Sequence, residues 1–327
     1  MTIFEAKGEE NFSGGHAVGF FGGLKVFEFL GIFDDIIESG CPFDKLVATN
    51  THGVDLYQIP VHDIFRKSKN PNLLSSAESG GRALAYFYSR GRIQKELLRS
   101  LEKDSFNKFC PRESQEKTSV QLVTNSNVID LSEYDSPEGR KVRIHFADGH
   151  SEDGFDIVLG CDGGLSKIKD FIHNEIVAAD PKLAHKEEEL AYCGIRVSVV
   201  STGPDPLLKI REFRGPRQWY GNGIYAMEAS MGGIDGPQHY LGISYSSKED
   251  SKLGENAKWN NGTTALKDEL RELLLSKGFG KHKGFMNIFE NSESIYESGV
   301  RTNPKPLMKW HSKSGRIILA GDSAHKM

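Results

Sequence analysis

Apolar residues run unbroken in two short stretches of this chain and alternate or recur at helical spacing elsewhere, and the difference sorts the sequence into elements. Asp156-Ile157-Val158-Leu159-Gly160 and Arg316-Ile317-Ile318-Leu319-Ala320 carry the continuous hydrophobic runs of strands buried on both faces. The first leads through Cys161-Asp162-Gly163-Gly164-Leu165 into a small helix opening near Ser166, and the second ends in Gly321-Asp322. Val142-Arg143-Ile144-His145-Phe146-Ala147-Asp148-Gly149 alternates instead, which predicts a hairpin turning at the same Asp-Gly dipeptide.

Helical spacing appears in four places. Leu24, Phe27 and Leu30 precede Gly31, and Phe33, Ile36 and Ile37 continue into a second short helix closed by Gly40. Ser89 is a suitable N-cap for a helix whose apolar face is Ile93, Leu97, Leu98 and Leu101. Residues 264 to 275 form an amphipathic helix with Leu266, Leu270, Leu273 and Leu274 inward and the charges on its wet face. Strand-like stretches at 45 to 49 and 54 to 59 flank Thr51-His52-Gly53 and start a smaller sheet, while Asn70-Pro71-Asn72 and Ser76 to Gly81 read as loops. Beyond Glu189 the chain is strand-rich, at Ala191 to Val200, Arg217 to Met227 and His239 to Ser246.

With 327 residues the chain can bury a substantial core in one large or two medium domains, and 38% hydrophobic with 26% charged residues is a globular composition. A net charge of −4 without a basic face gives no electrostatic reason to expect nucleic acid. The four cysteines, Cys41, Cys110, Cys161 and Cys193, lack metal-ligand spacing and are expected to be reduced structural thiols. The histidines lack metal spacing, no Gly-x-Ser-x-Gly elbow marks a hydrolase, and no apolar run reaches the length of a membrane span. A soluble, cytoplasmic chain is the default expectation, with the oligomeric state open.

The chemistry sits at the ends of the two buried runs. Strand, glycine turn and helix start at Asp162-Gly163 can present backbone N–H groups to an anion such as pyrophosphate. At Gly321-Asp322 the glycine lets backbone approach a ligand and the carboxylate can accept hydrogen bonds from sugar-like hydroxyls, although the same pair read alone also fits an ordinary turn. Together these stretches resemble the Gly-Asp and Asp-Gly signatures of FAD-dependent monooxygenases of the p-hydroxybenzoate hydroxylase-like, aromatic-ring hydroxylase family. The resemblance implies that Asp322 holds a ribityl hydroxyl of FAD and that Asp162 and Gly163 contact FAD and the path of NAD(P)H. Lys169 stands where that pattern usually has arginine, replacing a bidentate contact by a point charge.

Three further stretches fit the same family order. Met1-Thr2-Ile3-Phe4-Glu5-Ala6 resembles the end of the second strand of a dinucleotide fold, with Glu5 on the adenosine ribose hydroxyls. The expected glycine-rich loop would precede Met1, and the glycines at 14, 15, 19, 22 and 23 do not substitute for it, since no strand precedes them at the required spacing. Tyr88-Ser89-Arg90 and Gln94 resemble the family's helix start that touches FAD, which makes Arg90 and Gln94 cofactor ligands; the alternative is a pair of solvated helix residues. Tyr192-Cys193-Gly194-Ile195-Arg196 and Gln218-Trp219-Tyr220-Gly221-Asn222-Gly223 resemble substrate-sheet stretches, so Tyr192, Arg196, Trp219 and Tyr220 are substrate candidates, against ordinary sheet packing for each. His325 reads as a helix-start histidine or as a neighbour polarising the cofactor.

The resemblance implies an α/β fold with an α+β insert: a Rossmann-like FAD-binding domain lacking its first strand and glycine-rich loop, over residues 1–50, 82–180 and 310–327, and a β-sheet substrate domain over 51–81 and 181–309. It implies an oxidoreductase using FAD with NADPH or NADH as electron donor, which passes one oxygen of O2 to an aromatic or other electron-rich small molecule. An isoprenoid or carotenoid epoxidase of the same fold, favoured by an apolar pocket without a fixed cation, and a non-catalytic flavoprotein remnant are the alternatives. This stretch alone is expected to hold FAD poorly, and a longer chain to hold it well.

Overall fold

The computed structural model describes residues 1–8, 17–20, 24–30, 32–34, 36, 40–67, 85–102, 120–183, 190–205, 215–232, 235–250, 256–258, 264–302 and 307–325. From the amino end the elements are β1 (Thr2–Phe4), β2 (Ala17–Phe20), α1 (Leu24–Leu30), β3 (Cys41–Phe43), β4 (Lys45–Asn50), β5 (Asp55–Pro60), α2 (Val61–Lys67), β6 (Ala85–Ser89) and α3 (Arg90–Glu102). Then come β7 (Gln121–Val123), β8 (Val128–Ser136), β9 (Gly139–Phe146), β10 (Ser151–Phe155), β11 (Val158–Gly160), α4 (Lys167–Ala179), β12 (Ala191–Thr202) and β13 (Arg217–Gly221). The last are β14 (Ile224–Gly232), β15 (Pro237–Ser246), β16 (Asn256–Lys258), α5 (Thr264–Ser276), α6 (Lys283–Glu290), β17 (Ser292–Thr302), β18 (Ile317–Leu319) and α7 (Asp322–His325). They pack as two compact units, one of Met1–Glu9, Val120–Cys193 and Val300–Met327, the other of Glu10–Ser119 and Gly194–Gly299.

In the first unit the two continuous apolar runs form a parallel pair and the alternating run forms an antiparallel meander, but the expected burial on both faces is not found, since Leu159 is 62% exposed. β1 pairs with β7 and β11 with β18, both parallel, while β8, β9 and β10 form the meander. Helix α4 places Ile168, Ile172 and Ile176 in one core with Leu131, Val142, Ile144 and Phe146 of the meander and Ile317 and Leu319 of β18. Burying each isoleucine contributes about 1.5–3 kcal/mol. Ser166 caps this helix, its hydroxyl accepting the Lys169 N–H at 2.9 Å. Asp148-Gly149 turns the β9–β10 hairpin, as the alternation foretells.

The second unit is built on an eleven-stranded sheet in the order β16-β17-β12-β15-β14-β13-β4-β5, with β6 joining β14 and carrying β2 and β3. One face packs Val200, Trp219, Ala226, Leu241, Ile243 and Ile295 against Leu270 and Leu274 of α5 and Phe285 and Phe289 of α6. The other face packs Val199, Ala229, Met231 and Tyr240 against Cys41, Phe43, Val61, Ala85 and Phe87. Burial pushes the Cys41 thiol up to about 12, so it behaves as a small hydrophobe. Cys161 and Cys193 are exposed free thiols, and Cys110 lies outside the described residues.

Several expectations change in detail. The stretch 217 to 227 is a hairpin, β13 and β14 reversing at Asn222-Gly223 with Gly223 at φ +69°. The strands around Thr51 pair antiparallel as β4 and β5 but extend the large sheet through β13 rather than starting a smaller one. Residues 33, 34 and 36 are helical, whereas Gly31, Ile37, the loops at 70–72 and 76–81 and the glycines at 14, 15, 22 and 23 lie outside the described residues. By packing, residues 10–119 group with the sheet, so that β6 and α3 fall in the second unit.

Candidate functional site

The parallel register Val158↔Ile317, Leu159↔Ile318, Gly160↔Leu319 brings the ends of β11 and β18 level, so Asp162-Gly163 and Gly321-Asp322 leave adjacent strands at the same edge. The carboxyl edge of parallel strands is where α/β folds bind ligands. Gly160 O accepts the Ala320 N–H at 2.9 Å, and the buried Ser323 hydroxyl lies 2.5 Å from the same oxygen and 2.7 Å from Ala320 O. A Cβ on Gly160 would come 2.7 Å from Ile168 Cβ, so the close approach of β11 to α4 needs glycine. Gly163 and Gly321 have φ of +82° and +65°, and a Cβ at either would meet nothing within 4 Å, so both turns face open space.

The two aspartates are held differently. Asp162 Oδ2 accepts the Lys167 N–H at 2.7 Å and the Ile168 N–H at 3.4 Å. With Ser166 taking the Lys169 N–H, the first turn of α4 has acceptors from its own loop. The helix start expected to offer these N–H groups to a pyrophosphate thus spends them on fixing the loop. Lys169 Nζ donates to Gly164 O at 3.3 Å and braces the same turn. Asp322 is exposed, and its carboxylate has no hydrogen bond or ion pair among the described residues. His325 is exposed on α7, its ring 6.0 Å from that of Trp310.

Glu5 lies half-buried at the carboxyl end of β1 in the same unit, and its Oε1 accepts the Lys7 N–H at 2.9 Å. Arg90 and Gln94 are in the other unit, on the first turns of α3, with Ser89 Oγ accepting the Arg92 N–H at 3.2 Å as the cap. Arg90 is exposed and Gln94 half-buried, and neither side chain has a partner among the described residues. The buried charge of this helix is Glu96, paired with Arg92 at 2.8 Å and Arg99 at 3.3 Å.

The substrate candidates divide between the faces of the sheet. Trp219 is buried on the helix-covered face, its ring 4.3 Å from that of His282 and 5.9 Å from that of Phe285. Arg196 on the same face is ion-paired with the buried Glu297 and with Glu269 at 3.2 Å, and Tyr245 OH donates to Glu297 at 3.3 Å. Burial pushes the Glu297 carboxyl above the ordinary carboxylate range against the pull of Arg196. The guanidinium is therefore engaged within the fold. Tyr192 lies half-buried within β12, two residues ahead of Gly194, which has a φ of +75°.

Tyr220 looks the other way. Its hydroxyl is 3.3 Å from Tyr57 OH and donates to Gln218 Oε1 at 3.2 Å, and its ring stands edge-on to Tyr225 at 5.3 Å. The shared hydrogen bond with Tyr57, then partial burial, push Tyr220 up to about 12. Tyr57, Gln218 and Tyr225 are the residues of this face that sequence reading missed. Gln218 lies two positions from Tyr220, and Tyr225 opposes it once Asn222-Gly223 is read as a hairpin. Among the described residues no group of three or more His, Cys, Asp or Glu is placed to hold a metal ion, and no helix is long and apolar enough to cross a membrane.

Comparison with solved structures returns several proteins solved with FAD, the cofactor that the sequence resemblance implies. CtdE, solved with FAD and a substrate, aligns with 99% of this chain and 68% of its own at TM-score 0.67 and 15% identity. Klebsiella pneumoniae HpxO, solved with FAD and uric acid, aligns over 99% and 67% at TM-score 0.61 and 16% identity. The tetracycline destructase Tet(51) aligns over 99% and 68% at TM-score 0.54 and 16% identity. The chain shares the fold of these proteins and spans about two thirds of their length. No protein-family model matches the sequence, and no curated protein matches it.

Proposed function

We propose that the chain is an FAD-binding oxidoreductase, an NAD(P)H-dependent monooxygenase that inserts one oxygen of O2 into an aromatic or other electron-rich small molecule. The observation that carries this reading is the parallel β11–β18 pair, which sets two flavin-type turns, far apart in sequence, side by side at one strand edge. The residues fit the cofactor: two open positive-φ glycines permit close approach, and Asp322, without a partner among the described residues, and the second oxygen of Asp162 are acceptors for hydroxyl and N–H donors. Asp322 would take a ribityl hydroxyl, Asp162 and Gly163 the neighbouring part of FAD, and Glu5 the adenosine ribose. Solved relatives in fold with FAD and uric acid or another substrate support the same class.

When bound, FAD supplies the electron transfer from NAD(P)H and the activation of O2. The chain supplies position. Carboxylates at strand ends would fix the cofactor by charge-assisted hydrogen bonds, and Tyr220 with Tyr225 on the sheet of the second unit forms an aromatic face able to orient a substrate ring. The hydroxyl and amide tips on that face favour a hydrogen-bonding ring over the purely apolar chain of an isoprenoid.

The test is a titration of FAD, followed by flavin fluorescence, into the longest form of the protein that retains the flavin. Asp322→Asn and Asp162→Asn should each weaken binding about tenfold or more, the loss of one charge-assisted hydrogen bond. Unchanged affinity in both variants, or no flavin binding by any form, would refute the assignment.

A further inference from the structure

Gly160 O, the last carbonyl of β11 before the Asp162 turn, accepts twice from the chain that leaves β18. The Ala320 N–H reaches it at 2.9 Å and the Ser323 hydroxyl at 2.5 Å. These donors stand immediately before and immediately after Gly321-Asp322, so the second acidic turn is tied at both ends to one oxygen of the neighbouring strand. A carbonyl oxygen has two lone pairs, and one turn takes both.

The backbone half of this tie continues the parallel ladder, whose register ends at Gly160↔Leu319, and any residue but proline at position 320 could supply it. The hydroxyl half depends on a side chain. Ser323 lies beyond the ladder on α7 and is 1% exposed. Its single proton has two carbonyls in reach, Gly160 O across the strands and Ala320 O in its own turn at 2.7 Å, and the shorter contact is the one that joins the turns. The other anchor is fixed as well. A Cβ on Gly160 would come 2.7 Å from Ile168 Cβ, and the Lys167 and Ile168 N–H groups hold Asp162 Oδ2 at 2.7 and 3.4 Å, so α4 sets the place of the Asp162 turn.

We propose that Ser323 is a positioning residue: its buried hydroxyl sets the separation of the Asp162 and Asp322 turns, and with it the fit of a ligand that spans both. Such a ligand loses affinity once the groups holding it drift by more than about 0.5 Å. An alanine at this position removes the side-chain bond while Gly160 O keeps the Ala320 N–H, so no buried acceptor is stranded and the chain still folds. That the spanning ligand is FAD rests on the function proposed above; the spacing role rests on the geometry of the two turns alone.

Two measurements on Ser323→Ala test this. In the flavin-free protein, amide hydrogen exchange over residues 161–167 and 319–325 should be several-fold faster than in the unaltered protein, with the rest of α4 unchanged. In the longest form that retains flavin, the FAD dissociation constant should rise about five- to tenfold. In an Asp322→Ala background the same substitution should change it by less than about twofold, because the carboxylate that the hydroxyl positions is gone. Ser323→Thr keeps the hydroxyl and should recover most of the affinity; if its methyl group is not accommodated, Ser323→Cys, a weaker donor of similar shape, should fall between serine and alanine. Ile176→Val, a core substitution in the same unit, should lower the urea midpoint and leave FAD affinity within about twofold, which separates position from stability. Unchanged exchange in both turns, or an equal loss of affinity in the Asp322→Ala background, would overturn the proposal. Bound flavin indifferent to Ser323→Ala sinks this inference alone, whereas no flavin in any form of the unaltered protein, with exchange raised in both turns, sinks the FAD reading and leaves the spacing role standing.

Discussion

Asp148-Gly149 and Asp162-Gly163 are the same dipeptide in the same unit, and their glycines share a positive φ, +90° and +82°. Each aspartate accepts a main-chain N–H, from His150 at 3.1 Å in one case and from Lys167 at 2.7 Å in the other. A Cβ on either glycine would meet nothing within 4 Å. What differs is the company. The first turn closes on itself, with the His150 ring stacked on Phe146 at 4.2 Å and hydrogen-bonded to the Asp148 carboxylate at 2.5 Å. The second ends a parallel strand whose neighbour ends in a second acidic turn. On the function proposed above, a glycine turn acquires a ligand-binding role from the strand beside it, because parallel neighbours leave the sheet in the same direction and open a crevice between their loops.

The largest expected effect that would break this contrast is at Gly160. Gly160→Val puts a side chain against Ile168 where a Cβ would already lie at 2.7 Å. Overpacking of this kind costs about 1–3 kcal/mol, read by urea denaturation, and flavin binding should fall with it. Gly149→Ala and Gly163→Ala come next: each forces a side chain into the left-handed region and should lower stability by a similar amount, about 1 kcal/mol, but only the second should alter flavin affinity. Equal flavin loss in both would erase the distinction.

The smallest effects come from the aspartates. Asp162→Asn keeps an acceptor at the start of α4 and should lower stability by less than about 1 kcal/mol while reducing flavin affinity. Asp148→Asn should leave flavin untouched. The His150 N–H and ring hold the Asp148 carboxyl below its ordinary range, so its stabilisation is present above the unfolded carboxylate pKa and is lost as pH falls through the lower folded value. The difference in melting temperature between Asp148→Asn and the unaltered protein should therefore shrink as pH is taken below about 4. A difference that grows on acidification would show that the carboxylate is held by something else.

What was legible in the sequence is local. Ser166 opens α4, Ser89 opens α3, and Leu270 and Leu274 face inward from α5, because caps and helical spacing involve residues within a turn of one another. The likeness of Asp162 to Asp322 was also readable, but their adjacency was not, since it depends on a register between strands far apart in the chain. The same limit explains the substrate candidates. Arg196 finds Glu297 on β17, and Trp219 finds Phe285 on α6, and no pattern within β12 or β13 names those partners. Asn222-Gly223 is different: the hairpin signal was present, inside a run of aromatic residues continuous enough to read as one strand.

The Ser323 clasp on Gly160 joins two turns separated by roughly 160 residues of chain, a long-range closure whose entropic cost is met only when both strands exist. On the ribosome, at about 5–20 residues per second, the Asp162 turn emerges roughly ten to thirty seconds before its partner strand. Strands β12 to β16 appear in that interval and can pair meanwhile. A nascent chain that stalls within it would carry much of the sheet and none of the paired crevice, so the competence to hold a dinucleotide would mark translation through β18.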